Sequence, residues 1–246
     1  MSFAVICNRT AQLLFSGLTP ADREHLSNKG YVVSEGRLPK ATCAATVQSK
    51  TVRDFPCCTH PVFNDTGPEG VPVIGENSKR RQVELAQHWS VSKKAFAVAK
   101  TDHPLNTPEE GRLMMSLEDC EQQPWHTDFP PGELVNGAFT PGELVNGAQA
   151  SYVMMVALQA NTCICLYEGS HLIYDDPAKR ASARIVTLQQ GDVLYMHSLL
   201  MHAGAAYNKR NVRLHLYLAA PGADRETNTV FPLSSLPSGQ KLQFLG

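Results

Sequence analysis

The feature that most constrains the fold is a series of short apolar or alternating segments that begins near residue 112. The segments are RLMMSL, ASYVMMVAL, TCICLYEG, ARIVTL, DVLYMH and VRLHLYLA. Stretches such as QANT, QQGD and AYNKRN separate them, and residues of these types favour turns. Many short strands at close spacing, after a more helical region, predict a β-sandwich or barrel with helices supporting one face.

The N-terminal region carries the helix signals. Thr19 is a suitable N-cap, Pro20 suits the first helical position, and Gly30 can end the helix before a strand at YVV. Residues 78–100 have apolar side chains at roughly helical spacing and predict one or two helices packed on the sheet. We interpret the basic run NSKRRQ, residues 77–82, as the solvated start of such a helix.

Length and composition favour a single domain. The chain has 246 residues, of which 43% are hydrophobic and 18% charged, and β-rich domains of this size often form one unit. We expect residues 1–110 to form helical and strand support, 111–220 the barrel core and 221–246 a surface tail. The net charge of −1 gives no general attraction to nucleic acid or anionic lipid. We therefore expect neither as a partner.

Cysteine usage and hydropathy predict the compartment. Seven cysteines at irregular spacings do not resemble a disulfide framework or a four-ligand zinc pattern. The apolar N-terminal segment is interrupted by Arg9 and has no basic region before it, unlike a signal peptide. No stretch approaches the ~20 uninterrupted apolar residues of a membrane span. These features predict a cytoplasmic protein without a membrane segment.

A tandem duplication follows the first candidate site. PGELVNGAFT at 131–140 is followed by PGELVNGAQA at 141–150, with eight consecutive residues identical. One pair is too short for a solenoid, and the Pro, Gly and Asn-Gly residues favour two successive turns. The duplicated loop begins three residues after Asp128. Two interpretations stay open, a lid over a site and an inert surface insertion.

The segment QPWHTDF, residues 123–129, supplies two candidate metal ligands. Side chains two positions apart on a strand face the same way, so His126 and Asp128 can reach a common point. An imidazole and a carboxylate are two of the three ligands of a 2-His-1-carboxylate iron site. The remaining histidine has three downstream candidates, which are His171, His197 and His202.

Arg213 follows His202 by eleven residues and opens an alternating strand. Arg213, His215 and Tyr217 share one face of that strand. A buried arginine is costly unless it meets an anion, and its guanidinium can bind a carboxylate with two parallel hydrogen bonds. The sequence thus offers a cation for an acidic co-substrate, with Arg210 as a rival. The alternatives are a structural salt bridge for Arg213 and a backbone-bonded loop position for His202.

Taken together, these motifs resemble those of the Fe(II)/2-oxoglutarate-dependent oxygenases, and most closely the phytanoyl-CoA dioxygenase-like branch. The resemblance covers about residues 112–220. The segments that carry it are WHTDF, EGSH, QQGDVLYMHSLLMHAG and NVRLHLYL. It implies a mainly β fold with supporting helices, namely a double-stranded β-helix, which is a jelly-roll or cupin-like barrel of two facing sheets.

The resemblance also implies the roles of the site residues. His126, Asp128 and His202 would bind Fe(II) as the catalytic centre, and Arg213 would bind the distal carboxylate of 2-oxoglutarate. Ascorbate would serve as an accessory reductant. Apart from the resemblance, His171 is expected to bond a turn and His215 and Tyr217 to pack inward, with hydrogen bonds to the metal ligands or lining of the substrate cavity as the alternative for these two. One departure is Gly204, because the family often has a hydroxyl residue two positions after the distal histidine.

The predicted function is that of a non-haem Fe(II)- and 2-oxoglutarate-dependent dioxygenase. Such an enzyme would hydroxylate an unactivated C–H bond of a small-molecule substrate and release succinate and CO2. Two alternatives stay open. One is a catalytically inert barrel that acts as a binding protein, and the other is a cupin-type metalloenzyme that does not use 2-oxoglutarate. The chain carries no recognisable substrate-binding signature.

Overall fold

The computed structural model describes residues 17–49, 52, 60–62, 77–84, 90–102, 107–123, 125–128, 151–172, 182–219 and 231–232. The segment 1–16, the duplicated loop and nearly all of the tail predicted at 221–246 lie outside the described residues. What the sequence predicts for those segments therefore stays a prediction.

The described residues contain three α-helices, α1 (Pro20–Lys29), α2 (Lys40–Val47) and α3 (Ser90–Asp102). Helix α1 begins as predicted, because the Thr19 hydroxyl accepts the backbone N–H of Asp22 at 3.1 Å while the Asp22 carboxylate accepts the backbone N–H of Thr19 at 3.0 Å. This reciprocal capping satisfies N–H groups that the first turn leaves unbonded. Gly30 ends the helix with a φ of 83°, a left-handed conformation that glycine adopts without strain.

Twelve strands within the described residues form two antiparallel sheets. One sheet has seven strands in the order β1-β9-β6-β11-β4-β3-β2, and the other has five in the order β12-β5-β10-β7-β8. The mainly β, jelly-roll-like architecture predicted from the sequence is confirmed. The strands are β1 (Tyr31–Ser34), β2 (His60–Val62), β3 (Asn77–Glu84), β4 (Thr107–Ser116), β5 (His126–Thr127), β6 (Tyr152–Ala157), β7 (Thr162–Glu168), β8 (Ser182–Leu188), β9 (Val193–His197), β10 (His202–Gly204), β11 (Asn211–Ala219) and β12 (Phe231–Pro232).

The central strands of the seven-stranded sheet, β6, β9 and β11, are buried on both faces. On the outer face of the sheet, Met154 and Leu216 pack with side chains of helix α3 such as Ala95. On its inner face, Met155 packs against Leu166 of the five-stranded sheet. This double burial explains why β6 reads as a continuous apolar run, whereas a strand with one solvated face would alternate. The space between the inner faces of the two sheets is called the interior below.

The basic run at 77–82 does not start a helix, so this sequence-based interpretation is wrong. It lies in β3, which pairs with β4 so that Arg80 is opposite Ser116 and Val83 is opposite Leu113. Neighbouring side chains of a strand face opposite ways, which sends one arginine of the run inward. The second half of the predicted helical region is confirmed, since α3 spans Ser90–Asp102.

None of the helices in the described part of the chain has the length and apolar character needed to cross a membrane. The four cysteines that the structure describes, Cys43, Cys120, Cys163 and Cys165, are buried and free.

Candidate metal centre

The short pairing of β5 with β10 brings two histidines together. His126 lies directly opposite His202 in the antiparallel register, and the centroids of their rings are 4.4 Å apart. His202 is also opposite Leu166, a member of the apolar cluster between the sheets. Because residues opposite one another point to the same face, both imidazoles enter the interior.

Asp128 follows β5 and faces the same point. Its Oδ1 lies 3.9 Å from His126 Nε2, and its Oδ2 lies 3.5 Å from His202 Nε2. The three side chains are buried, and their possible ligand atoms all lie within 4.8 Å of one another. Two nitrogens and one oxygen at this spacing fit the ligand set of a 2-His-1-carboxylate metal site. His126, Asp128 and His202 are called the triad below.

The His202 ring is oriented by the backbone. Its Nδ1 lies 3.0 Å from the carbonyl oxygen of Leu200, so Nδ1 donates its proton there and Nε2 is left to face the triad. Burial lowers the pKa of His202, but the Asp128 carboxylate and the Leu200 bond outweigh it, so the net pKa is raised. The carboxylate thus favours a positive charge at this point, and a metal cation would compete with the proton for the same nitrogen.

Arg213 lies in the interior, on β11. It is 2% exposed, and its Nη1 donates to Ser116 Oγ at 3.0 Å while its Nε donates to His215 Nε2 at 3.3 Å. Burial, and then the Arg213 charge, hold the pKa of His215 well below its ordinary value, so His215 is neutral and can accept that bond. The rival Arg210 is exposed in the turn before β11. Of the two arginines, Arg213 is the one positioned to meet a buried anion.

A second interior arginine, Arg80, was missed by the sequence analysis. Arg80 is 1% exposed, and its Nη1 donates to the same Ser116 Oγ at 2.8 Å. Its Nη2 donates to three backbone carbonyls, those of Glu121, Gly204 and Ala205. Burial and the neighbouring Arg213 charge lower the pKa of Arg80 to about 10. Strand alternation in KRRQ could have indicated it, since every second residue there must face inward.

Arg80 and Arg213, joined through Ser116, are called the arginine pair below. Within the described residues, neither guanidinium forms an ion pair with an acidic side chain. Two buried cations without a carboxylate are unfavourable by themselves, so the pair creates a region that favours a bound anion. This region adjoins the triad. His215 contacts Arg213, and the negative charge of Asp128 is close enough to raise the pKa of His215 against the larger lowering effects.

Backbone bonds join the segments that carry the two triad histidines. The backbone N–H of Gln123 donates to the Gly204 carbonyl at 2.9 Å, and the Gly204 N–H donates back to Gln123 Oε1 at 2.8 Å. Arg80 binds the carbonyls on either side of this contact. The stretch before His126 is thereby fastened to the stretch after His202.

The other candidate histidines lie outside the triad. His171 Nε2 is 3.0 Å from the Ser27 carbonyl, and its ring packs against that of His197 at 5.0 Å. His197 Nδ1 accepts the backbone N–H of Leu199 at 3.1 Å. Both rings therefore support the local chain path, which agrees with the structural role expected for His171. Tyr217 packs in the interior apolar cluster, also as expected.

Comparison with known families bears on this arrangement. Residues 67–211 match the model of the family described as phytanoyl-CoA dioxygenase (PhyH). This stretch is more than half of the chain and contains the whole triad. The chain belongs to the PhyH family. The family resemblance noted in the sequence is thus confirmed for this PhyH protein, and no curated protein sequence matches it.

Solved structures share the fold of this PhyH protein at low sequence identity. The non-heme alpha-ketoglutarate-dependent carbocyclase SnoK from nogalamycin biosynthesis has a TM-score of 0.60 and 12% identity, over 84% of this chain and 86% of that one. EctD from S. alaskensis, with 2-oxoglutarate and 5-hydroxyectoine, has 0.58 and 17%, over 85% and 78%. HygX from Streptomyces hygroscopicus, with nickel, 2-oxoglutarate and hygromycin B, has 0.53 and 14%, over 82% and 87%.

Proposed function

We propose that this PhyH-family protein is an Fe(II)- and 2-oxoglutarate-dependent oxygenase that hydroxylates a small molecule and releases succinate and CO2. The observation that carries the proposal is the convergence of the buried triad beside a buried arginine pair that has no carboxylate partner among the described residues. One feature fits a divalent metal and the other a dicarboxylate. Together they fit the two requirements of this reaction class.

The triad fits iron in its donors. His126 and His202 present ring nitrogens and Asp128 presents carboxylate oxygens, a set that leaves coordination positions free for a co-substrate and for oxygen. When bound, iron with 2-oxoglutarate supplies the oxidising power for C–H oxidation, coupled to decarboxylation of the keto acid. The protein side chains hold the geometry. The Leu200 carbonyl fixes the His202 ring, and burial of all three residues keeps bulk water away.

Arg213 of the arginine pair fits the distal carboxylate of 2-oxoglutarate. The hydrogen bonds of Arg213 to described residues use Nε and Nη1, so Nη2 keeps its donors for an anion. Its neutral neighbour His215 accepts one donor and thereby orients the guanidinium plane. A charged carboxylate on a buried guanidinium forms one of the stronger hydrogen-bonded pairs in proteins. Arg213 would therefore bind and align the co-substrate.

Two lines support a small-molecule hydroxylation. The triad keeps Asp128 as its acid, whereas halogenating members of the wider class lose that ligand to make room for halide. HygX and EctD were solved with the small molecules hygromycin B and 5-hydroxyectoine. SnoK is a carbocyclase, so the type of product is itself a measurable part of the proposal.

The experiment that tests the proposal begins with anaerobic protein. Addition of Fe(II) and then 2-oxoglutarate should produce a charge-transfer absorption, which His126→Ala removes. Succinate should form once oxygen is admitted, and Arg213→Ala should abolish it. Absence of any metal binding would support the inert barrel instead, and metal binding without succinate would support a cupin-type enzyme.

A second measurement separates hydroxylation from oxidative rearrangement. Candidate substrates are screened by stimulated succinate formation, and the product of an accepted substrate is then analysed by mass spectrometry under isotopically labelled dioxygen. Hydroxylation predicts a product with one labelled oxygen atom. A product that forms with succinate but gains no oxygen would contradict the hydroxylase assignment and leave the oxygenase class intact.

A further inference from the structure

The starting observation is the hydrogen bonding of Ser116, at the end of β4. Its Oγ accepts one bond from Arg80 Nη1 at 2.8 Å and another from Arg213 Nη1 at 3.0 Å. A guanidinium carries donors only, so neither arginine can accept the Ser116 proton. The side chain is fully buried, and no described residue accepts a hydrogen bond from it. The hydroxyl proton must therefore point to a third group.

The position of that third group is restricted by geometry. Ser116 Oγ lies 3.0 Å from Arg213 Nη1, and Nη2 is bonded to the same guanidinium carbon, so an anion at Nη2 on the side of the serine can also accept the Ser116 proton. Donation by two cations to one oxygen also polarises its O–H and strengthens it as a donor in a low-dielectric interior. The bond pattern thus selects a strong acceptor, and a carboxylate oxygen fits that requirement.

We propose that the Ser116 hydroxyl donates to the distal carboxylate of 2-oxoglutarate next to Arg213, and that Arg80 is the positioning residue that orients Ser116. This inference rests on the proposed use of 2-oxoglutarate. In this arrangement Arg80 does not contact the co-substrate. It fixes the direction of the serine proton, because its two terminal amino groups are held in place, Nη1 by Ser116 and Nη2 by the carbonyls of Glu121, Gly204 and Ala205.

The surroundings of Gly204 supply an independent argument. A Cβ added there would lie 2.3 Å from Gln123 Oε1 and 2.7 Å from Arg80 Nη1. These distances exclude any side chain at 204 while Gln123 and Arg80 hold their places. No hydroxyl can therefore come from position 204, and the space it would need is filled by the residue that orients Ser116. Arg80 thus connects the two positions, because it fills the space beside Gly204 and donates to Ser116.

The decisive experiment measures ligand binding without turnover. Anaerobic protein loaded with Mn(II) is titrated calorimetrically with 2-oxoglutarate and with 2-oxopentanoate, in which a methyl group replaces the distal carboxylate. Ser116→Ala should weaken 2-oxoglutarate binding about tenfold, the size expected for a lost bond to a charged group. Binding of 2-oxopentanoate and of Mn(II) should not change. Ser116→Thr, which keeps the hydroxyl, should restore most of the 2-oxoglutarate affinity.

A matched control and a double variant complete the design. Ser92→Ala removes another fully buried serine, on helix α3, and should leave both affinities unchanged. Arg80→Lys keeps the charge but loses the fixed fork, so it should weaken 2-oxoglutarate binding. Its effect should not add to that of Ser116→Ala, because Arg80 acts through Ser116. Thermal unfolding of each variant confirms that it is folded.

The possible failures are distinguishable. Unchanged 2-oxoglutarate affinity in Ser116→Ala would overturn the inference and leave the proposed function intact, as would equal weakening of both keto acids. Additive effects of Arg80→Lys and Ser116→Ala would refute the positioning role of Arg80. If the wild-type protein binds Mn(II) but no 2-oxoglutarate, the proposed function fails together with the inference.

Discussion

Two buried charge clusters of this protein differ in how completely they are paired. In the first, the Asp102 carboxylate of α3 is fully buried, forms an ion pair with Arg37 and accepts the hydroxyl of Tyr195. In the second, Arg80 and Arg213 share the Ser116 hydroxyl, and no carboxylate of the described residues pairs with either. The first cluster is complete within the chain, whereas the second has an excess of positive charge.

The difference distinguishes a cluster with a structural role from a candidate site for a bound anion. The Asp102 cluster joins α3 to β9 and to the stretch after β1, so its pairing serves the layer that covers the outer face of the sheet. The arginine pair lies in the interior, on the same side as the triad. A chain that completes one buried cluster can complete another, so the missing anion beside the triad points to a ligand.

The largest expected effect tests the triad that adjoins the second cluster. Asp128→Ala should weaken Fe(II) binding by more than about a hundredfold, beyond the ~10–100-fold typical of residues that only support a ligand, and abolish succinate formation. Anaerobic calorimetry with Fe(II) and a succinate assay measure both. Asp102→Asn is the paired control, because it removes a buried carboxylate of the complete cluster and should leave metal affinity unchanged.

The next effect separates ligand binding from stability. Arg213→Met should weaken 2-oxoglutarate binding by at least about thirtyfold, because truncation of one partner of a buried charged pair costs about 2–5 kcal/mol. Its free energy of unfolding should change by less than about 1 kcal/mol, since the substitution also relieves repulsion from Arg80. Calorimetry and urea unfolding of the ligand-free protein test both statements. A loss of several kcal/mol in stability would instead make Arg213 a structural cation.

Substitution in the Asp102 cluster should have the opposite effect, with lower stability and unchanged ligand affinity. Asp102→Asn removes the anion that Arg37 and the Tyr195 hydroxyl contact, and the loss of hydrogen bonds to a buried charged group costs about 2 kcal/mol. Urea unfolding should record that loss of stability. The affinity of the folded protein for 2-oxoglutarate, measured without urea, should stay the same. If stability is unaffected, the contrast between the two clusters does not hold.

The smallest effect concerns a third, partly exposed cluster around Glu168. Burial raises the pKa of Glu168, but the Tyr31 hydroxyl and the charges of Arg184 and Lys29 outweigh it, so the net pKa lies below the ordinary value of 4.5. A carboxyl whose pKa is lowered by folding stabilises the protein fully above its ordinary pKa, and this contribution is lost as the pH falls through the lowered value. Glu168→Gln should therefore flatten the acid side of the stability curve.

The expected change in the free energy of unfolding for Glu168→Gln is less than about 1 kcal/mol at neutral pH, because two of its partners are about half exposed. Urea unfolding at a series of pH values measures it. A variant that remains as acid-sensitive as the wild type would show that other groups govern the acid limb.

Local patterns predicted much of the fold and the candidate site. Thr19 and Gly30 mark helix α1 by capping chemistry, which depends on residues close in sequence. His126 and Asp128 could be placed on one side of a strand because strand geometry alone decides it. Arg213 was singled out because its strand alternates. Each of these inferences needed only a few neighbouring residues.

The rest depends on contacts between distant residues. Arg80 was assigned to a solvated helix because a run of basic residues has the same composition in either setting. Its burial is made possible by the carbonyls of Glu121, Gly204 and Ala205, which no local pattern reveals. His202 was preferred to His171 and His197 through the family resemblance, and its physical basis is the pairing of β5 with β10, a long-range contact.

The reciprocal bonds between Gln123 and Gly204 have a consequence for how metal is taken up. They connect the residues before His126 to the residues after His202 through backbone and amide groups. These bonds form without a bound metal ion. On the proposed role of the triad, an incoming ion would meet donors whose spacing is already set, and fit to that spacing would favour some ions over others. Little ordering of the chain around the ion would then be required, and we expect capture and release to depend mainly on access and on competition with protons.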